Sequence, residues 1–394
     1  MNGSTPKRGS TARRIVVAGL LLGLAGCATG REEQKLIKLV WPEPPLTPRI
    51  EFARAIGSER DLGREATATE NIMEFLSGRK PPVWHLAEPM GLAVSDDGHR
   101  LYVADFGQLA VYVFDFQTRK VTIWGQDKPF QRPFGVAVDA QENVYVVEQD
   151  AKGIAVLDRA GRPIRFITDQ SVERPTGITI DRRRGLIYLA DSSRTQSDNH
   201  YVKVFDIAGR FVRNVGAGKG TRDGQLHFPT YLTLDADGNL YVTETLNSRV
   251  SVFSPDGKFL RKYGERGNAF GMFDKPKGVA LDSFGNAYVA DSGWSTVQIF
   301  NPKGEVLLYF GGRGDYPGLL RNPTALAIDG QNRIYVADFL NRRVAVYRLI
   351  NTKPEDGLIA LPPQESAGGA AAPAKAAGPA APQQSVQQKG GQNR

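Results

Sequence analysis

The chain has 394 residues, enough for two or three average domains or for one large closed fold. It contains 43 Gly, 24 Pro, 13 Tyr and 19 Phe, a composition typical of short strands joined by turns rather than of long helices. The formal net charge is +8, but Lys and Arg are scattered along the chain, so the charge does not favour a nucleic-acid partner. These features predict an all-β protein.

The N-terminal segment has the pattern of an export signal. A basic head containing Lys7, Arg8, Arg13 and Arg14 precedes an apolar run of 11 residues, 15–25. This run is too short to span a bilayer, and the combination is typical of a secretory signal peptide. Loss of the four basic residues of the segment would lower the net charge from +8 to +4.

Residues 24–27, Leu-Ala-Gly-Cys, resemble the bacterial lipobox. Cys27 is the only cysteine, so it has no disulfide partner within the chain. The resemblance implies a lipoprotein signal peptide over residues 1–26, lipidation of Cys27 and a lipid-anchored linker over residues 27–47. Two acyl chains anchor a protein durably. Ala28 stands where inner-membrane retention commonly uses Asp, which favours the outer membrane. The alternative is an ordinary signal with a coincidental cysteine.

One pattern occurs six times along the chain. It consists of Pro, a variable residue, usually Gly, a short apolar strand, a turn, and a second strand that ends in an acid. Successive copies start 44, 42, 54, 47 and 47 residues apart. The six openings are Pro89-Met90-Gly91, Pro133-Phe134-Gly135, Pro175-Thr176-Gly177, Pro229-Thr230-Tyr231, Pro276-Lys277-Gly278 and Pro323-Thr324-Ala325.

The fourth repeat shows a complete unit of four strands. Its strands are separated by turn sequences such as Asp237-Gly238 and Pro255-Asp256-Gly257, in which Gly reaches positive φ without steric cost. Four antiparallel strands per repeat form a propeller blade. With their P-x-G-V-A-V-D and N-x-R-V motifs, the repeats resemble the NHL family over residues 48–350. The resemblance implies a six-bladed β-propeller.

The last repeat lacks a fourth strand, because the chain passes from Val344–Tyr347 into an Ala-, Pro-, Gly- and Gln-rich segment. Upstream of repeat one, residues 50–57 align with residues 258–264 of the fourth repeat. An unpaired strand edge is costly, so we expect this N-terminal strand to complete blade six and close the ring. Residues 351–394 are expected to form a disordered tail.

A long insertion separates the closing strand from the first repeat. Within residues 58–88, Ile72, Phe75 and Leu76 lie at helical spacing, and Ser77-Gly78 followed by Pro81-Pro82 would end a helix. A short helix here is either a lid over the central channel or a plain packing element.

The variable residue of each opening is expected at the mouth of the central channel. Departures from the repeat pattern add an aromatic residue in blade four and another in blade five. The candidate binding face therefore comprises Met90, Phe134, Thr176, Thr230, Tyr231, Lys277, Trp294 and Thr324. No carboxylate or histidine is among them, so no catalytic residue, metal or other cofactor is predicted. Exposed aromatic and Lys side chains suit a protein or polymer partner.

Each second strand ends in an acid, and this feature has two interpretations. The acids form a cation-binding ring, or they pair with nearby arginines and cap backbone donors as part of the architecture. Arg249 and Arg343, each five residues after the acid of its blade, favour the architectural interpretation. The six acids are Asp105, Glu148, Asp191, Glu244, Asp291 and Asp338.

The favoured function is a non-enzymatic scaffold, lipid-tethered at the cell envelope, that docks an envelope protein or polymer and no nucleic acid. The alternative is a metal-dependent lyase or hydrolase. Residues 227–230 resemble one zinc-binding blade of the peptidyl-hydroxyglycine amidating lyases, whose zinc is held by histidines. The remaining histidines, His85, His99 and His200, are expected in a linker, a turn and an outer loop. Gluconolactonase-like rings carry an acid after the opening Pro, which is absent here.

Overall fold

The computed structural model describes residues 38–63, 76, 83–193 and 196–352. These residues form six antiparallel sheets, each contributed almost entirely by one repeat, and the first strands of successive sheets contact each other around a closed ring. The predicted all-β, six-bladed propeller is confirmed. The expected signal peptide, Cys27, the expected helix of the insertion apart from Leu76, and nearly all of the expected tail lie outside the described residues. In the described part of the chain, no helix is long and apolar enough to cross a membrane.

The chain enters the ring with β1 (Val40–Trp41) and β2 (Ile50–Ile56), followed by a 3₁₀ turn, Glu59–Leu62. The strands of blades one to three follow in chain order: β3 (Pro89–Val94), β4 (Arg100–Asp105), β5 (Ala110–Asp115), β6 (Lys120–Trp124), β7 (Pro133–Val138), β8 (Val144–Glu148), β9 (Gly153–Leu157), β10 (Pro163–Thr168), β11 (Pro175–Asp181), β12 (Leu186–Asp191), β13 (Tyr201–Asp206) and β14 (Phe211–Val215).

Blades four to six repeat the same order. Their strands are β15 (Pro229–Leu234), β16 (Leu240–Glu244), β17 (Arg249–Phe253), β18 (Phe259–Tyr263), β19 (Pro276–Leu281), β20 (Ala287–Asp291), β21 (Thr296–Phe300), β22 (Val306–Gly311), β23 (Pro323–Ile328), β24 (Arg333–Asp338) and β25 (Arg343–Leu349). A second 3₁₀ turn, Phe339–Asn341, joins the last two strands.

The burial of each strand reflects its position within the blade. Second strands such as β4 and β16 are buried on both faces, because blades pack against neighbours on both sides. Outer strands such as β18 alternate exposed and buried residues, because one edge of each blade borders solvent. The core therefore lies between the blades, in a ring of Tyr, Val, Leu and Ile side chains.

The glycine of the opening motif is required by the close approach of the inner strands. A Cβ atom at Gly91 would lie 2.2 Å from the carbonyl oxygen of Phe134 in the next blade. At the four blades whose opening carries Gly, the next inner strand approaches so closely that a Cβ atom would clash with it, whereas blades four and six accommodate Tyr231 and Ala325 at this position. This explains why the motif reads Pro, variable residue, Gly.

Blade six is closed by β2, which pairs antiparallel with β25 from Ile50 opposite Leu349 to Ile56 opposite Val344. β1 then adds a fifth strand to the same sheet. The ring of Trp41 packs on Tyr347 at a centroid distance of 5.8 Å and covers the edge of the blade. The propeller thus begins at Val40 rather than at residue 48, because Trp41 completes the apolar packing of the last blade.

The two faces of the ring differ in the segments they carry. The top face carries the links from each outer strand to the next inner strand, together with the turns between second and third strands. The opposite face carries the two hairpin turns of each blade. At the turn of blade four, Asp235 accepts the backbone N–H of Asn239 at 2.8 Å, and Gly238 adopts φ of 85°.

Candidate functional site

Most residues of the candidate binding face are buried between blades. Trp294 is 44% exposed, Met90 and Lys277 are partly buried, and the remaining five are at most 9% exposed, namely Phe134, Thr176, Thr230, Tyr231 and Thr324. The Thr324 hydroxyl donates to the carbonyl of Pro89 in blade one at 3.0 Å. Thr176 likewise lies within hydrogen-bond distance of the carbonyl of Pro229 in the next blade, so at these two positions the side chain meets a neighbouring blade instead of solvent. A binding role for the face stays a prediction.

Tyr231 closes the central channel near the top face. Its hydroxyl donates to the carbonyl of Met90, on the opposite blade, at 2.7 Å. Its ring packs on Phe134 at 5.8 Å. Burial raises the pKa of Tyr231 far above its ordinary value, so the hydroxyl stays protonated and donates. Closer to the opposite face, all six inner strands line a cavity of about 570 Å³.

The six second-strand acids cap the links and anchor them to the blades. Asp191 accepts the backbone N–H groups of Glu173 and Arg174 at 2.9 and 2.8 Å. Glu244 lies 2.7 Å from Nε of Arg249, and both side chains are at most 6% exposed. Asp338 pairs with Arg343 at 2.9 Å in the same way. The architectural interpretation of these acids is confirmed.

In blade three, a buried lysine pairs with the acid in place of the arginine. Lys203 Nζ lies 3.8 Å from a carboxylate oxygen of Asp191, and the two side chains are 1% and 0% exposed. Lys203 also donates to Asn199 Oδ1 at 3.1 Å. Burial raises the pKa of Asp191 and lowers the pKa of Lys203, because removal from water disfavours both charged forms.

The turn after this acid is longer in blade three than in any other blade. Residues 192–200 replace turns of four residues, and we call them the blade-three loop. Asn199 Nδ2 donates to the carbonyl of Ser171 at 2.8 Å, and Ser197 Oγ donates to Glu173 at 3.2 Å. His200 is fully buried, and its Nδ1 accepts the backbone N–H of Phe228 at 3.2 Å. These contacts anchor residues 197–200 of the loop to the blade.

A pocket of about 560 Å³ lies beside the blade-three loop, and we call it the blade-three pocket. The guanidinium of Arg174 lies 5.7 Å from the ring centre of Phe228, and that of Arg132 lies 4.7 Å from Phe106. The sequence analysis did not predict a pocket here. The pocket is lined by Arg132, Gln149, Asp150, Lys152, Glu173, Arg174, Gln196 and Phe228.

The structure brings together two histidines that the sequence analysis placed apart. His200 and His227 have ring centroids 5.6 Å apart in an edge-to-face arrangement. His200 lies at the end of the blade-three loop, as expected, but its side chain is buried instead of facing outwards. Burial lowers the pKa of His227, and the nearby Lys219 lowers it further.

This histidine pair was tested as a zinc site. A catalytic zinc typically takes three protein ligands. Among the residues that the structure describes, no three His, Cys, Asp or Glu side chains are grouped so that they could hold a metal ion. Nδ1 of His200 is engaged by Phe228, as described above. The described residues therefore do not fit a three-ligand zinc site.

The top face of blades four to six carries a strip of exposed apolar side chains, which we call the apolar crescent. Leu246, Trp294 and Leu340 lie in the turns after the second strands and are 40%, 44% and 51% exposed. Tyr316, in the link to blade six, is 76% exposed. A patch of large apolar residues on one face is typical of an interaction surface.

Hydrogen bonds tie two of the turns that carry the apolar crescent to neighbouring links. Arg266 donates to the carbonyl of Leu246 at 3.1 Å. Trp294 Nε1 donates to the carbonyl of Gly267 at 3.3 Å, and Arg313 donates to the carbonyl of Gly293 at 2.9 Å. Each of these two turns is thus tied to a neighbouring link, and this part of the crescent is held rigidly.

Comparison with curated proteins finds relatives with repeats of this type. Protein brain tumor of Drosophila melanogaster is 30% identical over 141 residues, which cover 34% of this chain and 12% of that protein. B-box type zinc finger protein ncl-1 of Caenorhabditis elegans is 26% identical over 139 residues, covering 34% and 15%. NHL-repeat proteins are homologues of this chain. The similarity spans only a small part of each relative, and no family model matches.

Solved structures show the same β-propeller fold at low identity. A gluconolactonase from Xanthomonas campestris has a TM-score of 0.54 and 17% identity over 76% of this chain and 98% of its own. A virginiamycin B lyase from Staphylococcus aureus has a TM-score of 0.51 and 16% identity, covering 67% and 95%. An auxiliary nutrient binding protein from Bacteroides thetaiotaomicron has a TM-score of 0.52 and 14% identity, covering 66% and 69%. At these identities the comparison shows the fold alone.

Proposed function

We propose that this chain is a non-enzymatic binding scaffold, tethered to the outer membrane of the cell envelope through lipidated Cys27, that docks an envelope protein or polymer on its top face. The apolar crescent is the observation that carries the docking part. Leu246, Trp294 and Leu340 occupy corresponding turns of three consecutive blades, so they form one strip rather than scattered exposed residues. Trp and Tyr are enriched among the residues that carry most of the binding energy of protein interfaces, so Trp294 is the expected anchor of this strip.

The rigidity of the propeller supports the same proposal. Tyr231 bonds across the axis, and the Thr176 and Thr324 hydroxyls hydrogen-bond to the next blade. A rigid surface loses little conformational entropy on binding, so the exposed side chains contribute their full apolar contact. The channel is thereby a structural element, and docking falls to the top face.

The docking part is tested by exchanging apolar for polar side chains in the crescent. Leu246→Ser with Leu340→Ser should reduce recovery of a partner cross-linked to the intact lipoprotein in membranes by about tenfold or more. Leu260→Ser is the matched control, because Leu260 is 46% exposed on the outer strand of blade four. Equal recovery by the crescent variant and the control would contradict docking on this surface.

The anchoring part is tested by Cys27→Ala. If Cys27 carries the acyl chains, the variant should leave the membrane fraction or accumulate as an uncut precursor. Normal processing with full membrane retention would contradict lipid anchoring and leave the docking proposal unaffected.

The second candidate function is a metal-dependent lyase or hydrolase related to peptidyl-hydroxyglycine amidating lyase. The proximity of His200 and His227 is the observation that favours it. Elemental analysis of the purified protein separates the two candidates. About one zinc per chain, lost in His227→Ala, would favour the enzyme, whereas the scaffold predicts no stoichiometric zinc and no activity dependent on His227.

A further inference from the structure

The blade-three pocket combines charged and aromatic groups on the top face, outside the apolar crescent. Its lining contains three cations, two acids and one aromatic ring, namely Arg132, Lys152, Arg174, Asp150, Glu173 and Phe228. Cations exceed acids by one, so the pocket favours a ligand that carries a carboxylate. The remaining acids favour a ligand that also carries a positive group.

Two of the cations are available to a ligand. Arg132 pairs with Asp150 at 3.4 Å, with both side chains about half exposed. Within the described part of the chain, the side chains of Lys152 and Arg174 make no hydrogen bond or ion pair. Arg174 lies over the ring of Phe228, which orients the guanidinium without using its N–H donors. These donors can therefore form charge-assisted hydrogen bonds to a carboxylate.

The acids of the pocket discriminate between anions. Asp150 and Glu173 would repel a doubly charged phosphate more strongly than a singly charged carboxylate. The Glu173 carboxylate accepts one hydrogen bond from Ser197, which holds it at the edge of the blade-three loop. Its remaining lone pairs can accept hydrogen bonds from an ammonium group. The charge pattern thus matches a zwitterion better than a simple anion.

The pocket is held in shape by buried groups. His200 accepts the N–H of Phe228, which fixes the residue that forms the aromatic wall. Asn199 is tied to Ser171 and to Lys203, which is itself paired with Asp191 in the core of the blade. The lengthened loop and the buried lysine occur together in blade three. A preorganised pocket of this kind loses little entropy when a small ligand binds.

We propose that the blade-three pocket binds a free amino acid with a large apolar side chain. The carboxylate lies against Arg174 and Lys152, the ammonium group faces Glu173, and the side chain packs on Phe228. This site shares no lining residue with the apolar crescent, so it is independent of the docking proposal.

The proposal is tested by ligand-observed NMR on the full chain with three matched probes and a competitor. L-phenylalanine should bind, whereas phenylalaninamide, which lacks the carboxylate, and 3-phenylpropanoate, which lacks the ammonium group, should each bind about tenfold more weakly. Inorganic phosphate should not displace phenylalanine. Equal binding of all three probes, no binding of phenylalanine, or displacement by phosphate would overturn the proposal.

Variants locate the site. Arg174→Gln should weaken phenylalanine binding about tenfold, and Glu173→Gln should weaken phenylalanine but not 3-phenylpropanoate. Arg210→Gln, in an exposed turn at the opposite end of blade three, is the matched control and should bind as the unaltered protein does. Lys152→Gln replaces Arg174→Gln if circular dichroism shows that the latter is unfolded. Unchanged affinity in a folded pocket variant would contradict the assignment.

Discussion

Blades three and four both bury an acid at the end of the second strand, but they neutralise it with different residues. In blade four, Arg249 pairs with Glu244 and also donates to the carbonyls of Thr221, Arg222 and Gln225 in the adjacent link. In blade three, Lys203 pairs with Asp191 and donates instead to the blade-three loop. The arginine supports a regular link, whereas the lysine supports a lengthened loop and a pocket. Departure from the repeat thus coincides with a new binding geometry.

The largest effect is expected where the cation is removed from blade four. Arg249→Met should lower the free energy of unfolding by about 3–5 kcal/mol, because it leaves Glu244 buried and unpaired and releases the link. Lys203→Met should cost less, about 2–3 kcal/mol, because the raised pKa of Asp191 eases its protonation. Urea denaturation monitored by circular dichroism gives both values.

The exposed pair of Lys258 and Asp256 supplies the control for these two variants. Lys258 is 82% exposed, so Lys258→Met should not change the unfolding midpoint measurably. A larger loss of unfolding free energy in Lys203→Met than in Arg249→Met would contradict the proposed difference between the two blades.

The next effect concerns Tyr231, the departure of blade four inside the channel. Tyr231→Ala should lower the free energy of unfolding by about 3–4 kcal/mol, because it removes a buried ring that joins opposite blades. Tyr231→Phe keeps the ring and should cost about 1 kcal/mol for the hydrogen bond to Met90. Equal stability of the alanine and phenylalanine variants in urea titrations would show that the Tyr231 ring contributes no packing energy.

The smallest effect is a pH dependence at the junction of the two blades. Burial lowers the pKa of His227 below its ordinary value of 6.5, with Lys219 lowering it and Glu244 raising it. Between the ordinary pKa of 6.5 and the lowered folded pKa, the unfolded chain binds more protons than the folded one, so stability should fall as the pH falls across this window and level off below it. His227→Gln should flatten this decline in unfolding midpoints measured from about pH 7.5 to about pH 5, roughly the range in which His titrates. An identical decline in the variant would exclude His227 as its cause.

The fold could be predicted from the sequence because each repeat carries its own turn signals and a fixed acid. The opening Pro and Gly, the Asp-Gly turns and the missing fourth strand of the last repeat determine the strands and the closure of the ring. The channel residues could not be placed in this way. Whether Thr176 or Thr324 faces solvent depends on how closely the inner strands approach, which the sequence pattern does not encode.

The blade-three pocket was beyond prediction for a related reason. It combines Arg132, Lys152 and Phe228 from different segments, and the contact of His200 with Phe228 joins residues 28 positions apart. The length of the blade-three loop was the one visible signal. It indicated that blade three differs from the others, but not which way the loop folds.

The docking proposal is tested most directly by site-specific photo-cross-linking in intact cells. A photoreactive residue would be placed singly at Leu246, Trp294 and Leu340 in the apolar crescent, and at Leu260 and Ile164 on outer strands of comparable exposure. Docking on the top face predicts one partner adduct of the same mass from all three crescent positions and none from the outer strands. Adducts from the outer strands alone, or no adduct from the crescent, would contradict it.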